Sequence, residues 1–504
     1  MTSRPRSGLS KSRLTAFEQC PKRLWLSVHR PQLAVHDDGS QARFATGHEV
    51  GALACELCPG GEMVLAEPDL AAALERTREL LAAAVPRPIF EATVEHEGVL
   101  VRIDILEPRG GGRWHMAEVK SSTRAKEYHV GDLATQLWVA DGAGVEVSSA
   151  SIRHIDNTFV LSEPGNYHGL FVDAVMESSE ALAAGRSAIV ASARETLAGS
   201  EPERETGSHC DDPFPCEFAD YCHSGNGVPD WPVTVLPNGG GRRWLERGVA
   251  DLLEVDPAEL KSPLHRRVYD ATATGAIFHD RDAACATLAG WEYPRSWLDF
   301  ETITFAIPRW VGTRPYQQIP FQFSVHVEDE DGSIRHREFL NLDGSDPRRE
   351  CAEALLAHLP QSGAVIGYNA SFEKARILEL ASCFPDLAQG LQLLASRVVD
   401  LLPVARTCWY HREQRGSWSI KAVLPTVAPE LDYSALAVGD GQAAQIAYLE
   451  AISPATSDLR RRELRVALSD YCCRDTEAMI VLARRLCSSS SSAIPRVATV
   501  NSEA

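Results

Sequence analysis

Hydrophobic positions along the chain recur in three textures. Over residues 8–30, Leu9, Leu14, Phe17, Leu24 and Leu26 fall at loose helical spacing, and residues 47–58 and the Ala- and Leu-rich residues 68–84 read as further helices. Strand-like runs follow at 89–94, 99–105 and 114–119. A helix is expected over 132–140, a strand near 152–160, and an Ala-rich helix over 178–197. From residue 225 to about 293 the texture changes: Pro229, Pro232, Pro237 and Gly239-Gly240-Gly241 mark a connector. The last region opens with a strand at 296–302 and alternates strands and helices to about residue 486, as a mixed α/β sheet does. Residues 488–504 begin with five serines and read as a disordered tail. The expected fold class is therefore α/β, divided at 1–225, 226–292, 293–487 and 488–504.

Composition narrows this picture. At 504 residues the chain exceeds what one hydrophobic core organises, and 44% hydrophobic with 24% charged residues is ordinary for a soluble protein. No run of about 18 apolar residues is present, so no membrane span is expected. The basic start, Met1-Thr2-Ser3-Arg4-Pro5-Arg6, lacks the apolar stretch of a signal peptide. Thirteen cysteines, odd in number and scattered, fit a reducing cytoplasm with a few metal-ligating thiolates better than a disulfide framework. A net charge of −19 argues against a protein that coats nucleic acid. Local basic groups (Lys11, Arg13, Lys22 and Arg23; Arg242 and Arg243; Arg460, Arg461, Arg462 and Arg465) are each either a DNA contact or a solvated helix face.

The first chemical constellation lies in two strand-like runs. Strand alternation sets Asp104 opposite Val101, Ile103 and Ile105, and puts Glu118 and Lys120 on one face. A Pro-Arg-Gly-Gly-Gly turn joins the runs, so an antiparallel pairing brings Asp104 beside Glu118. Two carboxylates there suit Mg²⁺ or Mn²⁺, with an adjacent ammonium to orient water. Charged residues also alternate on many exposed hairpins, so the context decides. His48 precedes the strands, Gln136 follows them, and Cys20 stands far upstream of Cys210, Cys216 and Cys222, whose two gaps hold five residues each. This order resembles the RecB-like PD-(D/E)xK nucleases, especially the iron–sulfur branches of CRISPR adaptation and AddB. The resemblance implies a restriction-endonuclease-like domain with His48, Asp104 and Glu118 as metal ligands, Lys120 as catalytic lysine and Gln136 as an orienting residue. Ala140 departs from the Gln-x-x-x-Tyr often found there, and the trio departs from the frequent C-x2-C-x5-C spacing. Three local thiolates and a remote one suit a [4Fe–4S] cluster. Zinc is the rival, although its paired ligands usually stand closer. Cys55 and Cys58 sit in a helical stretch without a second pair.

The second constellation is acidic. Trp297-Leu298-Asp299-Phe300-Glu301-Thr302 reads as a strand with Asp299 and Glu301 on one face. A strand-to-helix turn follows in Gly367-Tyr368-Asn369-Ala370-Ser371-Phe372-Glu373, and a helix carries Tyr471 and Asp475 at i,i+4. Four carboxylates from three elements suit two divalent cations, with Tyr471 to orient water. The ordered set resembles the DnaQ-like DEDD 3′–5′ exonucleases of the ribonuclease H-like fold, in their tyrosine subclass. Glu373 departs from the Asp usual after Asn-x-x-Phe; Asn369, Asp400 and Lys421 look supportive, with a structural role the alternative for Asp400 and Lys421.

The whole chain except its tail is similar to an uncharacterised bacterial family joining a RecB-like module to such an exonuclease-like domain. The resemblance implies a nuclease with two phosphodiester-hydrolysing centres, Mg²⁺ or Mn²⁺, and one [4Fe–4S] cluster. Single-stranded DNA ends are the expected substrate and RNA the alternative, in repair or defence, with no membrane partner. Trp25, Trp244 and Trp418 are candidate base-stacking residues, with packing as the alternative. The rival readings are a nucleic-acid-binding adaptor with one nuclease domain inactive and a redox-responsive regulator.

Overall fold

The computed structural model describes residues 8–35, 38–67, 69–176, 183–224, 229–431 and 433–488. The expected tail, past residue 488, lies outside them. The chain is mixed α/β and divides into two units. One takes the described residues up to 228 together with Phe305–Tyr316; the other takes Pro229–Thr304 and the described residues from Gln317 onward. Residues 229–292, expected as a connector, fall in the second unit because Val233, Trp244, Leu252 and Val268 bury their apolar side chains.

In the first unit, β1 (Leu9–Ser10) lies parallel to β4, off the path of a sheet ordered β2-β3-β4-β5-β6-β7. β2 is Glu62–Met63, β3 Ile89–His96, β4 Val99–Gly110, β5 Arg113–Lys120, β6 Val147–Ile155 and β7 Phe171–Val175. β3, β4 and β5 form an antiparallel meander, and β6 joins β5 in parallel, across the helix Glu127–Gly142. Ile103, Met116, Leu133 and Ile152 are fully buried in the core between this sheet and its helices.

The expected single helix over 8–30 is broken in two, Lys11–Gln19 and Pro21–His29. Pro21 has no N–H to continue the first helix and disfavours helical backbone at the residue before it. Cys20 is accordingly extended, at φ −160° and ψ 118°. The segment Phe305–Tyr316 belongs to the first unit: Ala306 packs with Val50, Ile155 and Leu170, and Leu161 exchanges backbone hydrogen bonds with Gly312 and Thr313 at 2.8 and 3.1 Å.

The second unit holds a two-stranded pair, β8 (Phe278–His279) with β14 (Trp409–Tyr410), and a five-stranded sheet ordered β11-β10-β9-β12-β13. β9 is Arg295–Ile303, β10 Ile319–Glu328, β11 Ile334–Leu340, β12 Val365–Gly367 and β13 Val398–Asp400. β9, β10 and β11 are antiparallel; β12 runs parallel to β9, and β13 to β12. Alternation sorts the residues of this sheet. Leu298, Phe300, Phe323 and Val325 face a core shared with the helices Arg348–His358, Ser371–Cys383 and Ala388–Ser396. Complete burial of each of the larger side chains stabilises by about 1.5–3 kcal/mol. The opposite face, carrying Asp299, Glu301, Gln322 and Ser324, meets the helix Asp458–Cys487.

Candidate functional site

Three elements of the second unit deliver four carboxylates to one cavity of about 210 Å³. β9 supplies Asp299 and Glu301, two residues apart and therefore on one face. Beside Glu301 a bulge leaves Phe321 unpaired between Pro320 and Gln322, a device that re-aims side chains locally. The turn after β12 supplies Glu373. Asn369 takes a left-handed φ of 67°, which asparagine tolerates better than most residues, and its N–H donates to Asp400 at 2.9 Å. Asp400 also accepts from the Leu402 N–H at 2.9 Å, capping the helix Leu401–Cys408. Asp400 and Asn369 thus shape the turn that aims Glu373. A Cβ on Gly367 would lie 3.0 Å from Glu373 Oε2 and 3.1 and 3.2 Å from Cβ and Cα of Ala370, so glycine leaves room for both the acid and the turn.

Asp475 arrives from the Asp458–Cys487 helix, four residues after Tyr471, and both line the cavity. Carboxylate oxygens of Asp299, Glu301 and Asp475 all lie within 4.8 Å of one another. Burial, then the neighbouring charges of Asp475, Glu301 and Glu373, raise the Asp299 carboxyl far above its usual range. Burial and Asp475 push Glu301 up to about 8, and burial with Asp400 does the same for Glu373. Burial also raises Asp475. Glu373 Oε2 is buried with no hydrogen-bond partner among the described residues. Four desolvated, mutually repelling carboxylates with a partnerless oxygen fit hard divalent cations, which take oxygen ligands.

Around them, the Tyr433 hydroxyl donates to Asp475 at 2.5 Å, and Lys421 Nζ donates to the Tyr471 hydroxyl at 2.9 Å and to the Gly439 carbonyl at 3.0 Å. Burial, then Asp475, Glu301 and Asp299, raise the Tyr471 phenol, so it stays a neutral donor. Tyr433 escaped the reading of the sequence because it sits in an irregular stretch without periodicity.

In the first unit the register Ile105↔Ala117 brings Asp104 and Glu118 next to each other, and Asp104 accepts the Val119 N–H at 2.7 Å. Glu118 is buried, and its oxygens are engaged by Lys11 at 2.6 Å, Lys120 at 2.8 Å and the Gln136 side-chain amide. Lys120 also pairs with Asp132 at 2.8 Å. Burial alone would lift Glu118, but Lys11 and Lys120 overcome it and hold the carboxyl far below its usual range. Asp104 goes the other way: burial and the Glu118 charge push it up to about 8. Asp104, Glu118, Lys120 and Gln136 are therefore gathered, together with Lys11 and Asp132, which spacing alone did not pick out for this site. His48 lies exposed on the helix Asp38–Glu56 and joins no converging ligand group among the described residues. With both Glu118 oxygens taken, these residues offer a cation less than the acidic quartet does.

All four clasp cysteines, Cys20, Cys210, Cys216 and Cys222, line one pocket and are free thiols. Cys20 reaches it from the Pro21 break. Gln19 fastens the later segment by donating to the carbonyls of His209 and Phe214 at 2.8 and 2.7 Å, and Arg23 pairs with Glu217 at 2.7 Å. Around one zinc, thiolates at about 2.3 Å would lie roughly 3.8 Å apart. Here, among the described residues, no three of these sulfurs lie within 4.8 Å of one another.

Trp244 and Trp418 are 2% and 6% exposed, so packing claims them and neither presents a face to a base. Trp25 stacks on His29. Of the candidate basic groups, Lys22 pairs with Glu201, Arg242 with Glu246, and Arg460 with Glu450 and Glu463.

Fold and site together define a mixed α/β protein with a buried four-carboxylate centre in one unit and, in the other, a lysine-paired acidic pair and a thiol pocket. Residues 296–419 match the family model described as "Domain of unknown function (DUF2779)". The matched span contains Asp299, Glu301 and Glu373; Tyr471 and Asp475 lie beyond it. The chain is similar to "Uncharacterized protein MG366 homolog" of Mycoplasma pneumoniae, 27% identical over 205 residues, 37% of this chain and 31% of that protein. It is also similar to "Uncharacterized protein UU173" of Ureaplasma parvum, 25% identical over 300 residues, 55% of this chain and 43% of that protein. The chain thus spans less than half the length of the curated relatives it matches.

Proposed function

We propose that this protein is a metal-dependent nuclease whose second unit removes nucleotides from single-stranded DNA 3′ ends. The observation that carries the reading is the convergence of Asp299, Glu301, Asp475 and the partnerless oxygen of Glu373 on one cavity. Its support in the fold is the sheet order, three antiparallel strands continued by two parallel ones with the acidic strand at the centre, the arrangement a ribonuclease H-like resemblance implies. Asp299, Glu301, Glu373 and Asp475 would hold two Mg²⁺ or Mn²⁺ ions, which when bound activate water and stabilise the attacking and leaving oxygens.

The chain's own groups do the rest. Tyr471, a neutral phenol held by Lys421, orients the attacking water, and Tyr433 fixes Asp475. Lys421 sets its positive charge where phosphate charge develops. Phe372, Ile420 and Met479 line the same cavity and limit the water that enters.

In the first unit, Asp104, Glu118, Lys120 and Gln136 gather as the RecB-like resemblance implies, and the four cysteines would hold a [4Fe–4S] cluster that ties helix ends near residues 20 and 222 together. The pairing of Glu118 with both Lys11 and Lys120 favours a second reading of this unit, as a nucleic-acid-binding module that does not cut.

The test is digestion of 5′-labelled single-stranded DNA with Mn²⁺ by protein purified without oxygen. Asp299→Asn should abolish 3′ shortening. If Glu118→Gln leaves digestion untouched, the first unit is a binding module; if the Asp299→Asn, Glu118→Gln double variant still degrades DNA at the wild-type rate, the nuclease reading is wrong.

A further inference from the structure

The side of β10 that meets the Asp458–Cys487 helix is polar along its length: Gln322, Ser324, His326 and Glu328 are all buried. A seam of this kind is destabilising unless its groups find partners. Most do. Gln322 Nε2 donates to the Leu468 carbonyl at 3.0 Å, the Ser324 and Thr476 hydroxyls lie 2.8 Å apart, and Arg484 pairs with Glu328 at 3.1 Å.

Two imidazoles are only half satisfied. His326, 1% exposed, sets Nδ1 2.8 Å from the Thr476 hydroxyl. His336, its cross-strand partner on β11, sets Nε2 2.9 Å from the Ser324 hydroxyl. Nε2 of His326 and Nδ1 of His336 have no hydrogen-bond partner among the described residues. The ring centroids are 4.6 Å apart. Cys473, from the helix, completes the group: one ligand atom from each of the three lies within 4.8 Å of the other two.

From this geometry we propose that His326, His336 and Cys473 bind one Zn²⁺ ion per chain. The ion pins the β10–β11 hairpin to the helix that carries Tyr471 and Asp475. Two imidazoles and a thiolate form a borderline-soft set that suits zinc and not the hard cations expected at the carboxylate centre. The Thr476 and Ser324 hydroxyls play the part of outer partners, fixing ring orientation and tautomer.

The imidazoles are already in the form that ligates, whereas the thiol must first give up its proton. Burial keeps both imidazoles below their usual range, hence neutral and able to ligate. Burial, then Glu477, Glu338 and Asp470, push the Cys473 thiol up to about 12. The same carboxylate field attracts a cation. On binding, the thiol proton passes to solvent as the sulfur lone pair forms the bond to zinc. This site does not depend on the nuclease reading, because its ligands are separate from the carboxylates and its readout is metal, not DNA.

The test uses full-length protein, purified without oxygen, washed with a weak chelator and titrated with Zn²⁺. Zinc X-ray absorption of the wild-type protein should give a first shell of two nitrogens and one sulfur, with water or another light atom completing it. Cys473→Ser and His336→Ala should each lose one equivalent of tight zinc, or weaken it by more than about 100-fold, beyond what loss of an outer partner costs. A shell of sulfur alone would place zinc in the cysteine clasp, and a shell of oxygen alone would place it at the carboxylates; either overturns the proposal. So does equal zinc content in wild type and Cys473→Ser. The absorption measurement on wild type decides the matter even if a variant fails to fold.

Discussion

Replacing Glu373 by glutamine isolates what a buried carboxylate costs the second unit when no cation accompanies it. The side chain is 3% exposed, and burial, with the Asp400 charge beside it, lifts its carboxyl from 4.5 to about 8. Across that window the folded state holds a proton that the unfolded chain releases. Stability through this group is therefore greatest below 4.5 and falls as pH rises towards the folded value. At about 1.36 kcal/mol per pKa unit, raising pH from about 5 to about 7 removes about 2.5 kcal/mol through Glu373 alone. Glutamine has nearly the same shape and no proton to hold, so Glu373→Gln lacks this loss. Thermal unfolding followed by circular dichroism in EDTA should show the variant melting above wild type, with the gap widening by roughly 5–10 °C over that pH range. Mn²⁺ should reverse the order, stabilising wild type more than the variant, whose nuclease activity should fall by about 100-fold or more. Two melting curves that shift in parallel with pH, or equal stabilisation of both proteins by Mn²⁺, would refute a desolvated carboxylate waiting for a cation.

Tyr471→Phe removes the phenol that Lys421 holds but no carboxylate, so kcat should fall by about 10- to 100-fold while Mn²⁺ affinity by calorimetry stays unchanged; loss of metal binding would contradict the assigned role. Lys11→Met takes one of two ammoniums from buried Glu118 and should destabilise the first unit by up to about 3 kcal/mol in urea unfolding. Because Glu118 is held below its usual value, that loss should be full above pH 4.5 and shrink as the pH falls; a pH-independent loss would point to packing alone. Cys216→Ser should lose the brown colour and iron of anaerobically purified protein and loosen the fastening of the two helix ends, read as faster proteolysis near residues 200–222. Full iron content in this variant would remove Cys216 from the clasp.

The strands bearing Asp104, Glu118, Asp299 and Glu301 were legible because a two-residue period assigns faces without knowledge of the fold. The i,i+4 spacing of Tyr471 and Asp475 was legible for the same reason. What stayed hidden depends on distant segments meeting. Lys11 and Glu118 are 107 residues apart, and Tyr433 and Asp475 are 42 apart across an irregular stretch; no local pattern encodes either pairing. The helix break at Cys20 was present in the sequence as Pro21, yet the apolar spacing on both sides outweighed it in the reading. His326 and His336 were hidden twice, since their meeting needs the β10–β11 register and their burial needs the long helix.

The departure at Glu373 shows how such a compensation works. Taken alone, an acid one methylene longer than the resemblance implies would overreach the site. The structure places that acid on the first turn of a helix, entered through a left-handed Asn369 that Asp400 holds, and sets its carboxylate over Gly367, where a side chain of any size would meet it. The longer reach is accommodated by the absent Cβ beneath it. Gly367→Ala should therefore crowd Glu373 as well as the Ala370 turn: Mn²⁺ binding should weaken, and Glu373→Asp in the same chain should restore part of it by withdrawing the carboxylate from the new methyl group. If Gly367→Ala leaves Mn²⁺ affinity unchanged, or if the second substitution only deepens the loss, the glycine serves the backbone and not the acid.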